Sequence, residues 1–263
     1  MKMVMIDQDG VVLGPDYQTN ADISSAIRAS LDVGMVLIPN SDTPIDRLNR
    51  NFRAALGYEP KITIGEGGAV VRYLEETAPL CEVTGISDYI DNLIRAFRPT
   101  GCHASLGDAP TWIRENKKFT PGEELLLIDG QRQHSIAFYL RRANRQGLAA
   151  LGQEWFARGR AIAEDLPLPT GLSPLVFDDR YGIAIASPTG INKRDGYRFL
   201  RDKFKVTQIY MIGDSNSDWI GDDGVIQCAV GNASDSYKQH CRFVANQEYT
   251  RGLAECLEWI AVN

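Results

Sequence analysis

Met3-Val4-Met5-Ile6-Asp7-Gln8-Asp9-Gly10 joins a short apolar run to two acids and a glycine. Four consecutive apolar residues bounded by turn-forming polar ones describe a buried strand. In an open α/β sheet, ligands gather at the carboxyl ends of the strands, which puts Asp7 and Asp9 where chemistry is expected. Two carboxylates so close oppose each other's ionisation unless a cation or basic group lies between them, and a divalent metal meets that need. A strand followed by an Asp-Gly turn is an equally good account of this stretch by itself, because both residues favour turns on steric grounds.

Outside this stretch the chain alternates strands and helices at both ends. Asn20 and Asp22 are candidate caps for a helix through Ile23, Ile27 and Leu31, closed by Gly34. Met35-Val36-Leu37-Ile38 reads as a second buried strand whose tip, Pro39-Asn40-Ser41-Asp42-Thr43-Pro44, is rich in hydroxyl and turn residues. Asp42 or Thr43 is expected to cap the next helix, in which Ile45, Leu48, Phe52 and Leu56 recur at helical spacing. A hydroxyl before a helix N-terminus serves either as an anion contact or as a plain cap, and Ser41 fits both descriptions. Residues 61–64 form a third strand, followed by Gly65-Glu66-Gly67-Gly68 and an extended piece over 69–74. These glycines do not have the spacing of a P-loop.

From residue 75 the rhythm changes. A helix over 88–97, strands over 124–128 and 135–141, a long helix over 144–163 and a hairpin around Asp178-Asp179-Arg180 describe an α+β unit with helices on one side. The α/β rhythm resumes with a helix from Asn192-Lys193 to Lys205, a strand over 208–212, and Gly213-Asp214-Ser215-Asn216-Ser217-Asp218 at its tip. A short strand over 225–230, another at 243–244 and a closing helix over 252–262 complete the chain. The fold expected is therefore α/β: a Rossmann-like, doubly wound parallel sheet over 1–73 and 187–263, with an α+β domain inserted over 74–186.

The chain has 263 residues, 44% hydrophobic and 24% charged, a composition typical of soluble globular proteins. A net charge of −6 argues against a nucleic-acid or membrane-surface binder. The five cysteines contain no C-x-x-C pair, so neither a disulfide framework nor a zinc site is indicated. With neither a leader-like apolar segment nor a membrane-length one, the expectation is a cytoplasmic protein.

Asp7/Asp9, Ser41, Lys193 and Asp214/Asp218 all fall at strand tips or helix mouths of one α/β pattern. In this order and context the chain resembles the haloacid dehalogenase-like phosphatase superfamily, whose motifs run D-x-D-G, a Ser or Thr, a later Lys, and G-D-x-x-x-D. Gly65-Glu66-Gly67-Gly68-Ala69 and Ala229-Val230-Gly231-Asn232-Ala233 further resemble stretches of its Cof-like members. Asn40-Ser41-Asp42-Thr43 is similar to a segment of mannosyl-3-phosphoglycerate phosphatases. Ser41-Asp42-Thr43 departs from the usual T-G-R, which removes an arginine from that tip.

The resemblance implies an inserted cap that selects a small phosphorylated metabolite, a sugar phosphate above all. It implies Asp7 as the nucleophile that forms an aspartyl-phosphate and Asp9 as the acid and base. Mg²⁺ would be held by Asp7, the Asp9 backbone carbonyl and Asp214. Ser41 and Lys193 would hold the phosphate, and Asp218 would position Lys193 or a metal-bound water, or bind the metal itself. Asp9 disfavours a dehalogenase, which lacks the second aspartate. A phosphomutase and a catalytically silent binding module are the alternatives. In the cap, Arg114, Arg132, Arg141, Arg142 and Arg180 are candidate substrate contacts or surface charge, whereas His103, His134, Trp112 and Trp155 read as structural residues.

Overall fold

The apolar run forms β1 (Lys2–Ile6), and its side chains alternate between two hydrophobic clusters: Val4 and Ile6 enter one, Met3 and Met5 the other. A strand covered on both faces needs no polar alternation, which is why its sequence is continuously apolar. The structure, a computed structural model, describes residues 2–15 and 17–263; the first residue of the expected core, Met1, lies outside them. α1 (Ser24–Asp32) is preceded by Asp22, whose Oδ1 accepts from the Ser24 backbone N–H at 2.9 Å. Asn20 does not cap α1; its amide instead bonds the backbone of Glu248 and Arg251.

β2 (Met35–Pro39) leads to α2 (Ile45–Leu56), which buries Ile45, Leu48, Phe52 and Leu56 as its spacing requires. Pro44, not Asp42 or Thr43, occupies the N-cap position of α2, and it makes no side-chain cap bond. β3 (Ile62–Gly65), β4 (Val70–Tyr73) and β5 (Glu76–Pro79) form an antiparallel sheet of their own. β3 meets the tip of β2 through a single bridge between Asn40 and Ile64.

The second unit, Cys81–Gly190, contains α3 (Ile86–Phe97), β6 (His103–Gly107), α4 (Ala109–Arg114), β7 (Glu124–Asp129), β8 (Ile136–Ala143), β9 (Ala149–Leu151), α5 (Gln153–Glu164), β10 (Val176–Asp178) and β11 (Ile183–Ala186). The boundaries expected at 74 and 186 precede those of this unit, since the hairpin of β4 and β5 pairs with β3 and stays with the first unit. β6 and β7 run parallel and the other pairs antiparallel, in the order β10-β11-β8-β7-β6 with β9 beside β8.

Residues 144–163 are not one helix: Asn144 Oδ1 accepts from the N–H groups of Gln146 and Leu148, closing a turn, and β9 intervenes before α5. Helices also cover both faces of the sheet. Tyr89, Leu93, Trp155 and Phe156 of α3 and α5 pack on Leu126 and Ile128, while Ala109 and Trp112 of α4 pack on Leu125 and Leu127.

The chain returns to the first unit with α6 (Lys193–Phe204), β12 (Ile209–Gly213), β13 (Val225–Ala229), α7 (Asp235–Lys238), β14 (Phe243–Val244) and α8 (Tyr249–Val262). Five parallel strands pair in the order β14-β13-β12-β1-β2. α1, α2 and α8 contribute Ile27, Phe52 and Leu257 to the cluster on one face; α6, β3 and β4 contribute Leu200, Ile64 and Val71 to the other. The sheet is doubly wound. From β1 the chain steps outward to β2 on one side and later to β12, β13 and β14 on the other, so the switch point lies between β1 and β12.

The glycines after β3 set where α6 begins. Gly68 has φ +99°, and a Cβ there would lie 2.1 Å from the carbonyl oxygen of Asn192, the N-cap of α6. Gly34 has φ +79° with nothing within 4 Å of its Cβ position. Gly34→Ala is therefore expected to lower the unfolding free energy only by the left-handed strain, about 1–2 kcal/mol. Gly68→Ala is expected to cost clearly more, and urea denaturation of the two variants checks the order.

Candidate active site

Asp7 follows β1 directly and Asp214 follows β12, so the two carboxylates stand at adjacent strand ends on either side of the switch point. The Asp7 backbone N–H continues the ladder to Ile212 at 3.0 Å, which fixes the strand end that carries its side chain. Lys193 is the first residue of α6, and its position is set by a capping box between Asn192 and Asp195. Asn40, at the tip of β2, donates to the Lys193 carbonyl at 3.4 Å.

From there the Lys193 Nζ donates to Asp7 Oδ1 at 2.7 Å and to Asp218 Oδ1 at 2.6 Å. All three side chains are buried, Lys193 being 5% exposed and Asp7 6%. The second oxygen of Asp218 accepts from the backbone N–H groups of Asp214 and Ser215 at 2.9 and 3.2 Å. Both Asp218 oxygens are thus committed to holding the lysine and the loop. One oxygen from each of Asp7, Asp214 and Asp218 falls within 4.8 Å of the others.

The electrostatics follow from one ammonium among several acids. Burial alone would pull the Lys193 pKa down, but the charges of Asp218 and Asp7 outweigh it and hold the group well above the ordinary lysine value, so it is charged. Burial pushes the Asp7 carboxyl well above the usual carboxylate range, the Asp218 charge adds to this, and Lys193 opposes it. Asp214 is pushed up to about 6 by burial and by Asp218. Asp9 reaches the surface, yet it lies against enough protein for desolvation to raise its pKa, with the Gln8 amide opposing.

A metal fits this donor set. The Asp214 carboxylate accepts no hydrogen bond from another residue among those described, and negative neighbours disfavour its charge. Gly10, at φ +86°, lets the D-x-D-G turn close against it, since a Cβ there would lie 2.2 Å from Asp214 Oδ2. Asn232 pins the same turn by donating to the Gly10 carbonyl at 2.9 Å. A hard divalent cation suits such an oxygen cluster.

The structure therefore brings Asp7, Lys193, Asp214 and Asp218 into one cluster, with Asp9 on the turn beside it. Ser41 is buried at the tip of β2, where its Oγ accepts from the Thr43 N–H at 3.3 Å, and no hydrogen bond joins it to those four residues. Sequence reading missed Gln8, Asn40, Thr43 and Asn51, all buried around the two strand tips. Their signal was an amide or hydroxyl at positions that pattern reading assigns to turns and helix caps. In the inserted unit, Arg114 bonds Thr111, Arg132 bonds Asp129 and Ser135, and Arg180 bonds Asp178. Arg141 donates to the Tyr181 carbonyl and Arg142 to that of Gly122. The Trp155 Nε1 donates to the Leu125 carbonyl inside the core.

No protein-family model matches this sequence, and no curated protein sequence matches it. Solved structures do. One from Bacteroides thetaiotaomicron, described among phosphatases of the haloalkanoate (HAD) enzyme superfamily, has a TM-score of 0.60 at 17% identity, covering 100% of this chain and 96% of that one. A haloacid dehalogenase-like hydrolase from B. subtilis gives 0.61 at 15%, covering 98% and 99%. The chain has the haloacid dehalogenase-like fold. A trehalose-6-phosphate phosphatase related protein also shares the fold, at a TM-score of 0.57 and 16% identity, with 99% and 97% covered.

A raised carboxyl pKa makes the folded state bind protons that the unfolded state has lost, so between the ordinary carboxylate value and about 6 the Asp214 carboxyl costs stability as pH rises. A dication removes that cost. Addition of MgCl₂ is expected to raise the melting temperature more at pH 7 than at pH 5. Equal shifts at both values, or none, would contradict a cation at Asp214.

Proposed function

We propose that the protein is a Mg²⁺-dependent phosphatase acting on a small phosphorylated metabolite, a sugar phosphate in the first instance, through an aspartyl-phosphate on Asp7. The observation that carries this reading is the buried Lys193 ammonium held between Asp7 and Asp218, with Asp214 completing the cluster at the switch point. The haloacid dehalogenase-like fold of known phosphatases supports it, and the trehalose-6-phosphate phosphatase related neighbour favours a sugar ester.

Lys193 engages Asp7 Oδ1, which leaves the other oxygen to attack phosphorus. As that bond forms, the bond from phosphorus to the leaving oxygen breaks, and the Asp9 carboxyl gives its proton to that oxygen. The Asp9 carboxylate then takes a proton from water as the water attacks phosphorus and frees Asp7. Lys193 and Ser41 hold the phosphoryl oxygens, whose spread charge calls for positioning and neutralisation. Asp7, Asp214 and the Asp9 carbonyl would hold Mg²⁺, and Asp218 keeps Lys193 and the loop in place. When bound, the ion supplies charge neutralisation at the phosphate.

Chelator-sensitive phosphate release from p-nitrophenyl phosphate and from a panel of sugar phosphates is expected. Asp7→Asn is expected to lower turnover by ~10³-fold or more. Near-normal phosphatase activity in purified Asp7→Asn protein would refute the nucleophile assignment.

A further inference from the structure

Gln8 lies between the two acids of the first motif, and its side chain is buried, 3% exposed. Its Oε1 accepts from Asn51 Nδ2 of α2 at 2.8 Å. Its Nε2 donates to Thr43 Oγ1 at 3.1 Å and straddles the Asp9 carboxylate, 3.3 Å from Oδ1 and 3.4 Å from Oδ2. The amide has one orientation that meets both needs. The Asp9 carboxylate only accepts, so the NH₂ group faces it and Thr43, and the carbonyl is left to accept from Asn51.

We propose that Gln8 is a positioning residue for Asp9, its amide oriented by Asn51 and Thr43 so that the Asp9 carboxyl is held in one rotamer toward the leaving oxygen. The inference rests on the phosphatase reading for what Asp9 does, and on this network for how it is held. Asp9 stands on an exposed turn, where an unrestrained side chain samples several rotamers and pays entropy on each turnover. The network also gives Thr43 a part at this strand tip, since its hydroxyl accepts from Gln8. α2 thereby reaches the chemistry through Asn51 without touching a reacting atom.

The step affected is cleavage of the substrate ester. The Asp7 oxygen bonds to phosphorus, the bond to the leaving oxygen breaks with its electron pair on that oxygen, and the proton passes to it from Asp9. An alkoxide needs that proton, whereas 2,4-dinitrophenolate departs without it. Misplacing the donor therefore penalises alkyl esters selectively, and kcat/KM reports this step because it covers everything up to the first phosphorus–oxygen cleavage.

The test compares kcat/KM for an alkyl phosphate and for 2,4-dinitrophenyl phosphate in wild type, Gln8→Met and Asn51→Asp. Gln8→Met keeps the length and removes the donor, while Asn51→Asp puts an acceptor where the Gln8 carbonyl lies and so turns the amide over. In both variants the loss on the alkyl ester is expected to exceed that on the dinitrophenyl ester by ~10-fold to 100-fold. Equal losses on the two esters, as a merely structural role would give, or no loss on either, would overturn the proposal. A second readout needs no turnover. Side-chain scalar couplings at the Asp9 β-protons are expected to report one staggered χ1 in wild type and averaged values in both variants, and averaging already present in wild type would overturn it. A wild type inactive on every ester yet with a fixed Asp9 rotamer lost in the variants would sink the phosphatase reading alone.

Discussion

The Lys193 ammonium, shared by Asp7 and Asp218 inside the protein, is the interaction on which the site depends. Three buried charges are costly to desolvate, and such a cluster persists only when the geometry is good and the remaining oxygens are satisfied. Both conditions are met at Asp218, which accepts from two backbone N–H groups as well as from the lysine. Removing Lys193 would strand two buried carboxylates. The surrounding structure is arranged to prevent that: Gly68 lets the β3–β4 turn close on the N-cap of α6, and Asn40 bonds the Lys193 carbonyl.

One consequence is a division of labour among the acids. Asp218 is spent on structure, Asp7 is half engaged, and Asp214 accepts no bond from another residue among those described. A cation and a phosphate have complementary claims on what remains. The order of strands adds the reason these groups meet at all, since Asp7 and Asp214 follow neighbouring parallel strands at the place where the chain changes direction across the sheet.

The acids and the lysine were legible in the sequence because each follows an apolar run or opens a helix, and a parallel sheet puts all such tips on one edge. The parallel α/β core was legible from the alternation of apolar runs and helices at both ends of the chain, whereas the order of its strands came from the structure. The supporting shell was not: Gln8, Thr43 and Asn51 meet through contacts up to 43 residues apart in sequence, and polar side chains in turns and on helix faces read as caps or solvated groups. β6 and α4 were missed because β6 alternates between exposed and half-buried positions, with Leu106 facing outward, and α4 has only 6 residues. The run over 144–163 looked helical from its Ala, Leu and Arg content, but the Asn144 turn and the pairing of β9 with β8 override propensity there.

The proposed reaction turns on a covalent bond to phosphorus from Asp7, fixed by β1 and oriented by Lys193. Borohydride quenching during turnover of a phosphate ester, followed by peptide mass spectrometry, tests it most directly, since hydride reduces an acyl phosphate and leaves an ordinary carboxylate untouched. Homoserine is expected at position 7 in wild type incubated with substrate and Mg²⁺. Reduction at another carboxylate, or none during demonstrable turnover with the intermediate accumulated by rapid quench, would contradict it.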